Sequence, residues 1–162
     1  MALYFATTLT VQEVGRKPSS QPVYSINLEV VMSAWLAVGV GGALGSMARH
    51  AVNRFVLHNW PALQVPAATI VVNLCGCAII GVLAGAAMSG KVGPGLYWRE
   101  FVIVGLLGGF TTFSTFGVET ITLMRTGFTG IAVANIGAQV IGGLLAVHAG
   151  LATAQRLLTS AP

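Results

Sequence analysis

Charge is what this chain lacks. Of its 162 residues only 7% are Asp, Glu, Lys or Arg, eight basic against four acidic, where an average soluble domain carries roughly 25%. So few charges cannot cover a water-facing shell, which excludes an ordinary soluble fold of this length. The basic residues are scattered without a cluster, so the net charge of +4 leaves no footprint for nucleic acid. Cysteine is scarce too. Cys75 and Cys77 stand roughly 200° apart around a helix, share neither a metal nor a disulfide, and read as small apolar packing residues. His50, His58 and His148 have no i, i+4 partner and no carboxylate motif beside them, so a metal cluster is not expected. With no nucleophile–base constellation and no phosphate loop, an enzyme is the least favoured class.

What the chain has is length of apolar run, at 55% hydrophobic residues. Taking about 20 residues per bilayer crossing gives spans at about 33–56, 67–88, 101–124 and 130–152, hence an all-α membrane protein of four transmembrane helices. The linkers carry turn residues: His58-Asn59-Trp60-Pro61, Ser89 to Gly95, and Arg125-Thr126-Gly127. Trp60, Tyr97 and Trp98 fall at the expected interfaces. An even number of spans puts both termini on one side. The transmembrane domain covers 32–155, followed by a short tail, 156–162. Residues 1–31, with Pro18 and Pro22 and no basic, apolar leader pattern, are expected to be a poorly ordered extension or an artefact of start-site choice, because Met32 stands directly before the first span. Lys91, Arg99 and Arg156 on one side face Arg54 and Arg125 on the other. That near-balance suggests insertion in both directions, and the basic loops fit a bacterial inner membrane.

Polar residues inside spans are functional hypotheses, because lipid makes them costly. The third span holds Gly108-Gly109-Phe110-Thr111-Thr112-Phe113-Ser114-Thr115-Phe116. Adjacent glycines weaken a helix at mid-span, so the helix is expected to break there and free carbonyls able to take a cation. Beyond the break, Thr112, Phe113, Phe116, Glu119 and Thr120 share one arc of about 120°. Ring edges are positive and can face a small anion; the plain alternative is core filling. Asn73 shares a face with Thr69, Gly76 and Cys77, joining an amide donor to a hydroxyl, although a lone intramembrane Asn is as often helix-to-helix glue. Asn135, Gln139 and Gly142 line one face of the fourth span. Arg49 lies near an end of the first span, where it either snorkels or draws anions. Gly41-xxx-Gly45, Gly81-xxx-Gly85 and Gly105-xxx-Gly109 point to close helix packing.

These residues resemble the CrcB or Fluc fluoride channels. The run at 108–116 is similar to that family's third-span signature, supported by Gly41 to Arg49, by Thr69 to Gly76 with Asn73, and by Glu119. The resemblance covers about residues 33–152, with no counterpart to 1–31. It implies an antiparallel, dual-topology homodimer in the lipid bilayer, with two fluoride pores and a structural sodium ion at the dimer centre. By position, the backbone carbonyls of Gly108 and Thr111 would hold sodium. Phe113 and Phe116 would give the pore its aromatic edges, Asn73 a lining donor, Thr115 and Glu119 further polar steps, and Arg49 the vestibule charge. On the fourth span many members carry Tyr and then Ser, where this chain has Asn135 and Gln139; both still donate hydrogen bonds, which keeps them as pore candidates. The function implied is passive fluoride export. The alternatives are a proton-coupled fluoride antiporter, with Glu119 as its titrating group, and a small dual-topology exporter of organic cations, whose coupling acid would be expected in the first span, where residues 33–57 hold none.

Overall fold

Among the described residues, four stretches are long and apolar enough to cross a bilayer: Leu28–Asn59, Ala67–Met88, Arg99–Arg125 and Thr129–Leu158. The structure is a computed structural model that describes residues 11–13, 24–26, 28–63, 65–89 and 95–159. Arg16, Lys17 and Lys91, most of the extension and residues 160–162 lie outside the described residues. Strands β1 (Val11–Glu13) and β2 (Tyr24–Ile26) pair antiparallel with Val11 opposite Ile26. Helices α1 (Leu28–Asn59) and α2 (Ala67–Met88) follow. The third span is composite: α3 (Leu96–Trp98), a π-helical segment (Arg99–Leu107), α4 (Gly108–Phe110) and α5 (Phe113–Arg125). Helix α6 (Thr129–Thr159) closes the bundle. At 1.5 Å per residue, the 22 residues of α2 reach roughly 33 Å, about the depth of the hydrocarbon layer. Helix α1 starts four residues ahead of Met32.

The helices pack as two close pairs, α2 along α6 and α1 along the π segment and α4. Glycine permits both. A Cβ on Gly45 would strike the backbone of Leu106 and Phe110, and one on Gly81 the backbone of Val147. The small-residue motifs therefore face one another across α1 and the third span, while the motif of α2 lies against the Val147 and Leu151 backbone of α6. Outward, large apolar side chains such as Trp35, 72% exposed, present the surface that lipid or another apolar partner must cover. The turn between α5 and α6 has its own stop signal. Gly127, at φ 87°, follows the last turn, its N–H donating to the Met124 carbonyl at 3.3 Å and the Phe128 N–H to the Leu123 carbonyl at 2.8 Å, which is the Schellman pattern.

The break lies later than the glycines suggested. Gly108 and Gly109 are helical, and the chain extends only at Thr111 (φ −77°, ψ 157°) and Thr112 (φ −150°, ψ 112°). The reason is a division of labour. Gly109 is needed for contact, since a Cβ there would press on the Gly42 backbone, whereas Thr112 can restart a helix. Its hydroxyl accepts from the Thr115 N–H at 3.3 Å as the N-cap of α5, the position that favours a short side-chain oxygen and an extended backbone.

Candidate functional site

The extended residues leave backbone groups that a continuous helix would have paired. Thr112 N–H, which would point at the Gly108 carbonyl in an unbroken helix, donates instead to Asn73 Oδ1 at 2.8 Å. Thr115 N–H, which would serve the Thr111 carbonyl, goes to the Thr112 hydroxyl. Gly108 and Thr111 are thus the two positions whose helical donors are captured by side chains. From the α1 side, Arg49 Nη1 comes within 3.4 Å of the Thr111 carbonyl, and Ser46 Oγ within 3.5 Å of that of Gly109.

Asn73, on α2, closes the other half of the pair by donating from Nδ2 to the Thr112 carbonyl at 3.1 Å. Its second hydrogen goes to Gln139 Oε1 at 2.5 Å. Gln139 Nε2 donates to Asn135 Oδ1 at 2.9 Å, and Asn135 Nδ2 to Thr120 Oγ1 at 2.9 Å. Asn135 is fully buried between α5 and α6. Both Asn73 amide hydrogens are therefore committed within the protein, so in this arrangement neither is left for an anion. The hydroxyl of Thr69 is engaged too, donating to Glu119 Oε1 at 2.8 Å. Glu119 Oε2 is buried with no hydrogen-bond partner among the described residues.

Two cavities meet at the break. One, about 410 Å³, is lined by Asn73, Gly108, Thr111, Thr112, Phe113, Phe116 and Gln139 among others. The other, about 370 Å³ and more polar, is lined by Ser46, Arg49, His50, Asn53, Thr69, Thr112 and Thr115 among others. Thr112 borders both, so the broken turn is the wall between them. Phe113 is 81% exposed, while Phe116 is 8% exposed, and the rings sit 5.4 Å apart at 56°. Asn73, Thr115, Phe113, Phe116, Glu119, Asn135, Gln139, Arg49, Gly108 and Thr111 are thus gathered around one stretch of the third span.

Sequence reasoning missed the parts played by Thr120, His50 and Asn53. Thr120 falls on the polar arc, but its place as acceptor for Asn135 depends on α5 meeting α6. His50 and Asn53 line the polar cavity just beyond Arg49; the adjacency of His50 to Arg49 is the signal available in the sequence.

Four apolar spans enclosing a polar, interrupted turn define a multi-pass membrane protein. The chain belongs to the CrcB family: residues 36–151 match the family described as CrcB-like protein, Camphor Resistance (CrcB). It is 42% identical over 116 residues to a protein of Methylobacillus flagellatus named fluoride-specific ion channel FluC, covering 71% of this chain and 89% of that one. Similar proteins of the same name occur in Azotobacter vinelandii, at 43% identity, and Pseudomonas syringae pv. tomato, at 44%, each over 72% of this chain and 92% of the relative.

Proposed function

We propose that this chain is a fluoride-selective channel that lets fluoride leave passively through two pores of an antiparallel, dual-topology homodimer in the bacterial inner membrane. The observation that carries the reading is the ring pair at the break, an exposed Phe113 beside a buried Phe116 on the wall of the cavity below Thr112. Fluoride is small and holds its water tightly, so a path through lipid must replace that water. Ring edges supply a fixed positive rim, and Thr115, whose hydroxyl shares a 2.9 Å hydrogen bond with that of Thr112, adds a polar group on the side of the polar cavity. Glu119 is the further polar step, held by Thr69. Arg49, which lines the polar cavity beside the broken turn, draws anions into that cavity. The relatives' names support fluoride as the ion.

Gly108 and Phe113 border the open cavity, and a second, inverted copy would cover it; the near-balance of basic residues across the two sides supports that orientation. The residues present fit sodium at the centre. The Gly108 and Thr111 carbonyls would hold it, as neutral main-chain oxygens relieved of their helical donors and suited to a hard cation. Bound there, sodium supplies positive charge that lowers the cost of bringing an anion to mid-membrane. A carbonyl has two lone pairs, so Thr111 can meet Arg49 as well as an ion.

The test is efflux from liposomes read with a fluoride electrode, with chloride as control. Fluoride should leave down its gradient while chloride stays, at a rate that ignores a clamped proton gradient. The second reading, a proton-coupled antiporter, is favoured by one observation: Glu119 Oε2 is buried without a hydrogen-bond partner among the described residues, where a proton could bind. Efflux that tracks the proton gradient would establish it.

A further inference from the structure

The carboxamides on α2 and α6 form a directed chain whose polarity is set at one end. Asn73 faces both backbone groups of Thr112, an N–H and a carbonyl that cannot exchange places, so its Oδ1 must take the N–H and its Nδ2 the carbonyl. This fixes the amide orientation that side-chain symmetry otherwise leaves open. The remaining Asn73 hydrogen then requires an acceptor, so Gln139 presents Oε1 and turns Nε2 toward Asn135. Asn135 presents Oδ1 in turn and donates to Thr120 Oγ1. The Thr120 proton is left to go to the Phe116 carbonyl at 2.7 Å. From Asn73 onward each donor points one way, from Asn73 to the main-chain carbonyl of Phe116.

We infer that Gln139 and Asn135 are positioning residues: they hold the Asn73 amide so that it keeps the Thr112 N–H away from the Gly108 carbonyl, leaving that carbonyl free for a cation. This departs from their expected place as pore ligands, and it rests on the sodium reading above. Asn135, fully buried, is poorly placed to touch a passing ion. Gln139 acts on the carbonyl only through Asn73. If Asn73 loses the Gln139 acceptor it keeps a buried, unpaired hydrogen and its hold on Thr112 weakens. The Thr112 N–H can then return to Gly108, four residues back, restoring the helical bond and removing one oxygen from the ion.

The experiment reads the sodium concentration at which the full-length, detergent-solubilised protein is half-maximally stabilised against heat, with a bulky organic cation keeping ionic strength constant. Gln139→Met removes the acceptor at similar volume and should raise that midpoint about tenfold, equivalent to ~1.4 kcal/mol. Gln139→Glu keeps an oxygen that accepts from Asn73 in either protonation state but as a carboxylate cannot donate to Asn135, so it should shift the midpoint by less than Gln139→Met does. Thr120→Val, at the far end of the chain, should shift it in the same direction by a smaller factor, and serves if Gln139→Met does not fold. A merely structural role would lower the melting temperature without sodium and leave the midpoint alone. Wild-type midpoints in both Gln139→Met and Thr120→Val overturn the inference, as does an equal shift in Gln139→Glu and Gln139→Met. Failure of sodium to stabilise the wild type overturns the sodium reading itself and this inference with it.

Discussion

Asn73 and Thr112 hold each other by two opposed hydrogen bonds, Thr112 N–H to Asn73 Oδ1 at 2.8 Å and Asn73 Nδ2 to the Thr112 carbonyl at 3.1 Å. One side chain thus does for an extended residue what a neighbouring strand does in a sheet. An interruption at membrane depth is tolerated only where protein or a cavity satisfies its polar groups, and Asn73 is the group that satisfies Thr112. The arrangement makes the break a packed, buried feature and gives it a definite place in the bundle.

Asn73→Leu should therefore cost far more than a lost surface contact. It strands the Thr112 carbonyl, and the Thr112 N–H as well unless that group returns to Gly108, each costing about 1–3 kcal/mol while buried unpaired. Thermal unfolding of the purified protein should show a loss of about 2–5 kcal/mol, and fluoride efflux should disappear. Asn73→Asp keeps the acceptor for Thr112 N–H and should retain part of the stability. Equal losses in the two variants would contradict a reciprocal bond.

The two rings should respond differently to the same change. Phe113→Ile alters a side chain that is 81% exposed in the single chain, so efflux should fall at least tenfold with the unfolding temperature little altered. Phe116→Ile empties part of a buried site and should lose efflux together with about 1 kcal/mol of stability. Efflux rates and melting curves of the same preparations separate the two effects, and wild-type efflux in both variants would return the rings to plain packing.

Backbone contact between α1 and the third span predicts a strong position dependence among glycines. Gly45→Ala drives a methyl into the Leu106 carbonyl and should cost about 2 kcal/mol or more. Gly39→Ala, on the same helix with nothing within 4 Å, should be neutral or stabilising by up to about 1 kcal/mol through helix propensity. Size-exclusion profiles and unfolding temperatures measured side by side decide this.

Sodium removal should slow fluoride efflux and lower thermal stability together, the loss growing as sodium falls below its dissociation constant. Labelled sodium should not accompany fluoride out of the liposome. Gly108→Val should weaken the sodium response more than Thr111→Ser does, because the proposed ligands are main-chain oxygens. Stoichiometric co-movement of sodium with fluoride would falsify a structural role for the ion.

The sequence by itself determined the solvent and the outline of this protein. With 7% charged residues no water-facing shell can be built, and the apolar runs are as long as a bilayer is deep, so the four spans were legible from composition and length alone. The site's place was legible for a related reason: polar residues are rare in spans, and Asn73, Thr112, Glu119, Asn135 and Gln139 stand out against an apolar background. Where the helix breaks was not legible. Adjacent glycines weaken a helix and also let helices touch, and only the position of α1 against Gly109 assigns them the second role, leaving the break to Thr111 and Thr112. Nor does sequence say which amide hydrogens are free. That Asn73 spends both, on Thr112 and on Gln139, depends on α2 lying between the broken turn and α6, because a hydrogen bond is decided by distances of a few tenths of an ångström between groups 39 and 66 residues apart along the chain.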